Sequence, residues 1–312
     1  MAKVCGGKPL TFHICRQIYI TLGFLDIVND LSRHHETVSD FLSLVAPTTT
    51  PVLTDSEVDE FNAKGFLTGF PLLDESEVEQ LRTELAAIIG SGADSRWHEF
   101  HHNESDDPDS VLMHALGAWR IAPGFHDLLW HPRFVSAAEQ LLGGPIRLWH
   151  DQLFCKPAGH GGAVSWHQDY SYWSRTVPMS HLTCWIALDD ATPESGVIQF
   201  VPGSHKWDLL PITGLAGDME SIRGELTDQQ WAAMSQPVCI SMKKGECSFH
   251  HPLTVHGSTV NHSDRPRRAT VINVISDGVR SASSDPLLSG VPVTPPGERL
   301  RGQFFPLLSK PN

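Results

Sequence analysis

A chain of 312 residues that is 40% hydrophobic has enough apolar surface for a sizeable core, arranged as one large domain or two average ones. Its 23 Lys and Arg against 36 Asp and Glu leave a formal net charge of −13, which excludes an extended basic surface for nucleic acid and disfavours docking on anionic membranes. The six cysteines form no CxxC pair and are too sparse for a disulfide framework, so a reducing, cytoplasmic setting is expected.

Residues 1–50 mix cysteine, histidine and apolar side chains without a period and run into the linker-like APTTTPV. Their best apolar run, residues 18–28, carries Asp26, is too short to span a bilayer and is followed by no small-residue cleavage site. The expectation is a disordered N-terminal extension (1–50) ahead of one domain (51–312), with a helical part at 51–144, a β-core at 145–277 and a C-terminal tail at 278–312. TDSE at 54–57 matches a capping box and predicts a short helix to about Lys64, followed by an extended stretch at 65–73. Asp74 can cap a second helix, with Val78, Leu81, Leu85 and Ile88 at helical spacing and an end near Gly90. Residues 91–110 are polar and read as a loop, and the histidines of its HEFHH read as surface residues. Helices are expected at about 111–118 and 133–142, the second closed by Gly143-Gly144.

After Pro145 the pattern becomes one of short apolar runs punctuated by turn residues. Strands are predicted at 146–156, 164–168, 182–188, 197–201, 238–242, 246–250 and 268–275, with one helix inserted at 226–234. Many short strands without intervening helices predict a β-sandwich or barrel such as a jelly roll.

The chemistry concentrates in WHQDYSYW, residues 166–173. On a strand, His167 and Asp169 would share a face and supply two ligands of a 2-His-1-carboxylate triad, which leaves open positions on a non-haem Fe(II). HGSTVNHSDRPRRA, residues 256–269, supplies His256 as the candidate third ligand and an arginine cluster leading into a strand. Arg267 could clamp a carboxylate with two parallel hydrogen bonds, whereas Arg268 would face the other way and Arg265 lies in the turn before Pro266. An iron site with a carboxylate clamp is the minimum equipment of a 2-oxoglutarate-dependent oxygenase. His205, in PGSH, reads as part of a turn, and His250 and His251 as strand-end residues.

These two stretches, with ESGVIQFVPGSHKW (194–207) between them and LTDSEVDEFNAKGFL (53–67) ahead of them, closely resemble the phytanoyl-CoA dioxygenase family. The resemblance runs from about Leu53 to Ile275. It implies a mainly β fold with flanking helices around a double-stranded β-helix (jelly-roll, cupin-like) core. It implies Fe(II) on His167, Asp169 and His256, and 2-oxoglutarate with its distal carboxylate on Arg267, supported by Ser258. Trp185 would line the cosubstrate pocket, although its strand alone would read it as core. Gln152 and Lys156 would approach the cosubstrate or substrate. With O2, such an enzyme hydroxylates its substrate and releases succinate and CO2. The intact Asp169 separates the chain from halogenating relatives, in which a small residue replaces the carboxylate. Tyr170, Tyr172 and Trp173 are expected at the substrate mouth, and residues 96–109 and 212–230 as lids. A free small molecule is the expected substrate. The rival readings are a non-catalytic binding protein, a hydrolase on the same triad, and desaturation or epimerisation by the same iron chemistry.

Overall fold

Thr54 opens the first helix as the capping box requires: its hydroxyl accepts from the Glu57 amide at 3.3 Å and the Glu57 carboxylate accepts from the Thr54 amide at 2.7 Å. The computed structural model describes residues 29–309 apart from 47, 49–50, 92–93 and 106, so the apolar run at 18–28 lies outside the described residues. Helix α1 (Asp55–Lys64) stops at Gly65, whose φ of 88° suits a residue without a Cβ. Strand β1 (Phe66–Pro71) and helix α2 (Glu75–Ser91) follow, with Val78, Leu81, Leu85 and Ile88 buried as their spacing predicts. Then come β2 (Glu99–His101), β3 (Met113–Leu116), α3 (Pro123–Leu128) and α4 (Pro132–Leu142), each of these two helices opened by a proline in its first turn.

Two expectations fail in this part. The helix expected at 111–118 is β3, because its apolar residues are buried all round and pair with the next strand. A short, uniformly apolar run has no period to tell a strand from a helix. The loop at 91–110 contains β2, which pairs with β3 at the sheet edge.

The remaining elements are β4 (Ile146–Lys156), β5 (Val164–His167), α5 (Tyr170–Trp173), β6 (Thr176–Val177), β7 (His181–Ala187), β8 (Gln199–Phe200), α6 (Asp228–Met234), β9 (Val238–Cys239), β10 (Glu246–His250), β11 (His256–Ser258), β12 (Arg267–Ser276) and β13 (Arg280–Ser281). They build a seven-stranded sheet in the order β1-β10-β7-β12-β4-β3-β2 and a four-stranded sheet in the order β5-β11-β8-β9, with every strand pair antiparallel. This is the jelly-roll core.

The strand period of two sorts the large sheet's side chains. Cys184 and Ile186 of β7 and Ile272 and Val274 of β12 pack against Leu81 and Leu85 of α2 and Phe134 of α4. Trp185, Ala269 and Val271 face the other way and meet Phe200 of the small sheet and Ile198 just before its strand. Phe66 of β1 stacks on Phe200 of β8, centroids 4.6 Å apart, tying the two sheets together. Polar members of the inner face include Thr183, His250, Asn273 and Arg267, all buried.

The packed chain extends beyond 51–277 at both ends. Asp30 pairs with buried Arg120, Phe41 joins the core, and Asp127 accepts from the amides of Val38 and Ser39. Leu287, Val291, Leu300 and Phe305 pack with Trp149 and Trp173 across one end of the core. Cys155, Cys184, Cys239 and Cys247 are free thiols. No helix among the described residues is long and apolar enough to cross a membrane.

Candidate metal centre

Strand β5 ends at His167, and Asp169 has helical backbone angles (φ −57°, ψ −42°) leading into α5. Strand alternation is therefore not what brings the two side chains together, contrary to expectation. The turn does it: Asp169 Oδ1 lies 3.6 Å from His167 Nε2. His256 opens β11 directly opposite His167, and its Nε2 is likewise 3.6 Å from Asp169 Oδ1. Gly257 permits this pairing, since a Cβ there would come 2.9 Å from the Val164 carbonyl oxygen. The candidate ligand atoms of His167, Asp169 and His256 all lie within 4.8 Å of one another. Nitrogen and oxygen ligands sit about 2.0–2.2 Å from a first-row metal ion, and the 3.6 Å separations between Asp169 Oδ1 and each Nε2 suit a shared ion.

Hydrogen bonds set the ligand atoms. His167 Nδ1 donates to the Ser165 carbonyl at 2.8 Å and His256 Nδ1 to the Thr254 carbonyl at 2.9 Å, which turns both Nε2 lone pairs toward Asp169. Burial, aided by His167 and His250, holds His256 well below the usual imidazole range, so it stays neutral as a ligand must. Burial alone would raise Asp169. The carboxyl is nevertheless held well below its usual range, with His250 and Thr183 donating to Oδ2. A buried carboxylate with two imidazole nitrogens suits iron.

The triad opens into a cavity of about 320 Å³. Arg267 reaches into it from β12, 1% exposed. Its Nη1 has only a 3.4 Å contact to the Phe154 carbonyl, its Nε has no partner, and no carboxylate pairs with it among the described residues. Its guanidinium lies 5.5 Å from the centroid of the Trp185 ring. Burial lowers its pKa to about 10, so it remains a cation at neutral pH. An uncompensated buried charge costs several kcal/mol, roughly, which an anionic ligand would relieve. The donor set and this unmatched cation together fit an iron ion and a dicarboxylate.

Of the other residues singled out from sequence, Ser258, Trp185 and Gln152 line the cavity, with Gln152 Oε1 accepting from His114 Nε2 at 2.9 Å. Lys156 is buried but does not line it: its Nζ donates to Ser258 Oγ at 2.7 Å and to the Thr259 carbonyl at 2.5 Å. Arg268 faces outward and pairs with Asp189, and Arg265 is exposed. Tyr172 and Trp173 line the cavity, whereas the Tyr170 hydroxyl turns away to the Thr176 carbonyl. Each expected lid contributes one wall residue, Glu99 and Leu215. His205 bonds the Asn62 carbonyl and His98 the Ser289 carbonyl, both structural roles.

Sequence reasoning missed His250, whose Nε2 lies 3.1 Å from Asp169 Oδ2, and Thr183, whose hydroxyl is 2.6 Å from the same oxygen. It also missed His150, Leu287 and Leu288 in the cavity wall. The strand period puts Thr183 on the same face as Trp185 and was the one signal available for it.

A family model described as phytanoyl-CoA dioxygenase (PhyH) matches residues 61–269. A methylphosphonate hydroxylase of Gimesia maris is 28% identical over 230 residues, covering 72% of this chain and 83% of its own. An ectoine dioxygenase of Halomonas elongata is 26% identical over 229 residues, covering 69% and 68%. Among solved structures, a non-heme alpha-ketoglutarate-dependent carbocyclase from nogalamycin biosynthesis superposes with a TM-score of 0.68 at 25% identity, over 85% of this chain and 100% of its own. The protein is accordingly a non-haem iron enzyme that uses 2-oxoglutarate and O2, with a jelly-roll core. With 209 of its 312 residues (61–269) inside the family match, the chain belongs to the phytanoyl-CoA dioxygenase (PhyH) family.

Proposed function

We propose that the protein hydroxylates a small molecule in the cavity beside His167, Asp169 and His256, with iron on those three side chains. Bound there, iron, 2-oxoglutarate and O2 supply the oxidising chemistry, with succinate and CO2 as products. Arg267 would hold the distal carboxylate of 2-oxoglutarate by charge-assisted hydrogen bonds, with Trp185 flanking and Ser258 at the same wall. Lys156 would act through Ser258, whose hydroxyl it fixes. Gln152 would meet the substrate side, oriented by His114. The observation that carries this reading is the buried, unpaired Arg267 in the triad's cavity. A hydrolase on the same triad would have no use for that cation.

At about 320 Å³ the cavity is at the small end for ligand pockets, and it must hold 2-oxoglutarate as well as substrate. Trp149, Trp173, Leu287 and Leu288 make an apolar wall, and Glu99 and Arg175 supply opposite charges at its edge. This supports a compact polar substrate, in keeping with relatives named for methylphosphonate, proline and ectoine. The free thiols support a cytoplasmic setting.

The test is an anaerobic titration of the purified protein with Fe(II) and then 2-oxoglutarate, following the visible charge-transfer band of the chelate. The wild type should develop the band and His167→Ala should not. Arg267→Ala should need about a hundredfold more 2-oxoglutarate, the scale for losing one partner of a buried charge pair. A folded wild type that binds Fe(II) but gives no band refutes the clamp.

A further inference from the structure

Asp169 offers two oxygens, and the structure treats them differently. Oδ1 faces the Nε2 atoms of His167 and His256. Oδ2 accepts from the Thr183 hydroxyl at 2.6 Å and from His250 Nε2 at 3.1 Å. Both donors come from the large sheet, on β7 and β10, whereas β5 and β11 carry His167 and His256 in the small one. An ionised carboxylate only accepts, so His250 must carry a proton on Nε2, and its Nδ1 is buried without a hydrogen-bond partner among the described residues. Thr183 has one proton to give. Its hydroxyl also lies 2.9 Å from the Asn273 amide, whose other end is 3.2 Å from His150 Nδ1. With Thr183 donating to Asp169, Asn273 turns its NH2 toward Thr183 and its oxygen toward His150, the two ends of an amide being alike in shape. Every donor in the row then has an acceptor.

We propose that Thr183 and His250 are positioning residues that hold Asp169 to the metal through Oδ1 alone, with Asn273 and His150 orienting Thr183. This rests on the metal reading above. A carboxylate free to rotate can bind an ion through both oxygens and thereby fill a position that cosubstrate or O2 requires. Two hydrogen bonds on Oδ2 of this buried carboxylate prevent that rotation. They also leave Oδ1 as the sole free ligand atom and keep it aimed without the ion.

The experiment is Fe(II) affinity by anaerobic equilibrium dialysis on wild type, Thr183→Val, Thr183→Ser and His250→Leu, with folding checked by far-UV circular dichroism. Thr183→Val and His250→Leu should each bind Fe(II) about 10–100-fold more weakly, the usual scale for a ligand's outer partner. Thr183→Ser, which keeps the hydroxyl, should stay close to wild type. With Co(II) in place of iron, the visible ligand-field bands of Thr183→Val should shift as the freed carboxylate takes a second position. Should His250→Leu not fold, the two Thr183 variants decide alone. Affinity and Co(II) spectra unchanged in Thr183→Val overturn the proposal while leaving the triad intact. A wild type that binds neither ion overturns the triad reading and this one with it.

Discussion

Arg267 and Asp151 show what burial does to a charge at the scale of one residue. Arg267 is left without a carboxylate, and its environment reads as half of a binding site. Asp151 is satisfied within the chain, accepting from the amides of Gly117 and Trp119 at 2.8 Å each, yet burial still pushes its pKa up to about 6. A carboxyl whose folded pKa lies above its unfolded value gives its full stability below about pH 4 and loses it as pH rises through about 6. Asp151→Asn cannot ionise, so relative to wild type it should gain about 1 kcal/mol between pH 5 and pH 7, read from urea unfolding midpoints at the two values. A constant difference between the two proteins refutes the shift. The residues legible in the sequence were those with a local signature: His167 and Asp169 two apart, His256 before Gly-Ser, and Arg267 beyond the turn. Thr183, His250 and Asn273 carry no such mark. Their part arises where two sheets meet, and a single sequence does not state which strands face each other.

Elements were legible wherever a period or a cap marked them. The capping box found α1, the helical spacing found α2, and β4 and β10 fell at their predicted bounds. β3 failed because four residues buried on every side have no period. Phe200 occupies a two-residue strand but joins both sheets, stacking on Phe66 and lying 5.3 Å from the His250 ring and 6.2 Å from the His256 ring. Phe200→Ala should cost about 3–5 kcal/mol in denaturant unfolding, the range for deleting a fully buried aromatic ring. It should also weaken Fe(II) binding, because the cavity it leaves borders the ligand His256 and its neighbour His250. A loss under about 1 kcal/mol would mean that the sheets are held mainly elsewhere.

For the whole molecule, the C-terminal segment is part of the working enzyme. Arg175 donates to the carbonyls of Pro286 and Leu287 at 2.8 and 3.0 Å, and His98 bonds the Ser289 carbonyl at 2.8 Å. These ties press Leu287 and Leu288 against the cavity. Gln303 bonds Ser32 and the Arg120 guanidinium lies over Phe304, which ties this segment to the first described residues and to the helical part. Truncation after Val279 removes the buried Leu287, Val291, Leu300, Phe305 and Leu308, at about 1.5–3 kcal/mol each. That sum is comparable with the whole stability of a domain, so the shortened chain should not fold cooperatively, as thermal melts would record. A sharp melt from the truncated chain would show the segment to be an accessory.

The division of the site between the two sheets has a consequence for the reaction cycle. Iron would sit on His167 and His256 of the small sheet and on Asp169 in the turn after β5, while Arg267 belongs to the large sheet. On the proposed reading, a five-carbon diacid is gripped by both walls at once and acts as a rivet through the sandwich. Decarboxylation would remove the carboxylate beside the keto carbon, so succinate would keep its distal carboxylate on Arg267 but offer the metal one chelating arm fewer. The rivet would loosen at the small sheet first, with Arg267 the last hold on the departing product.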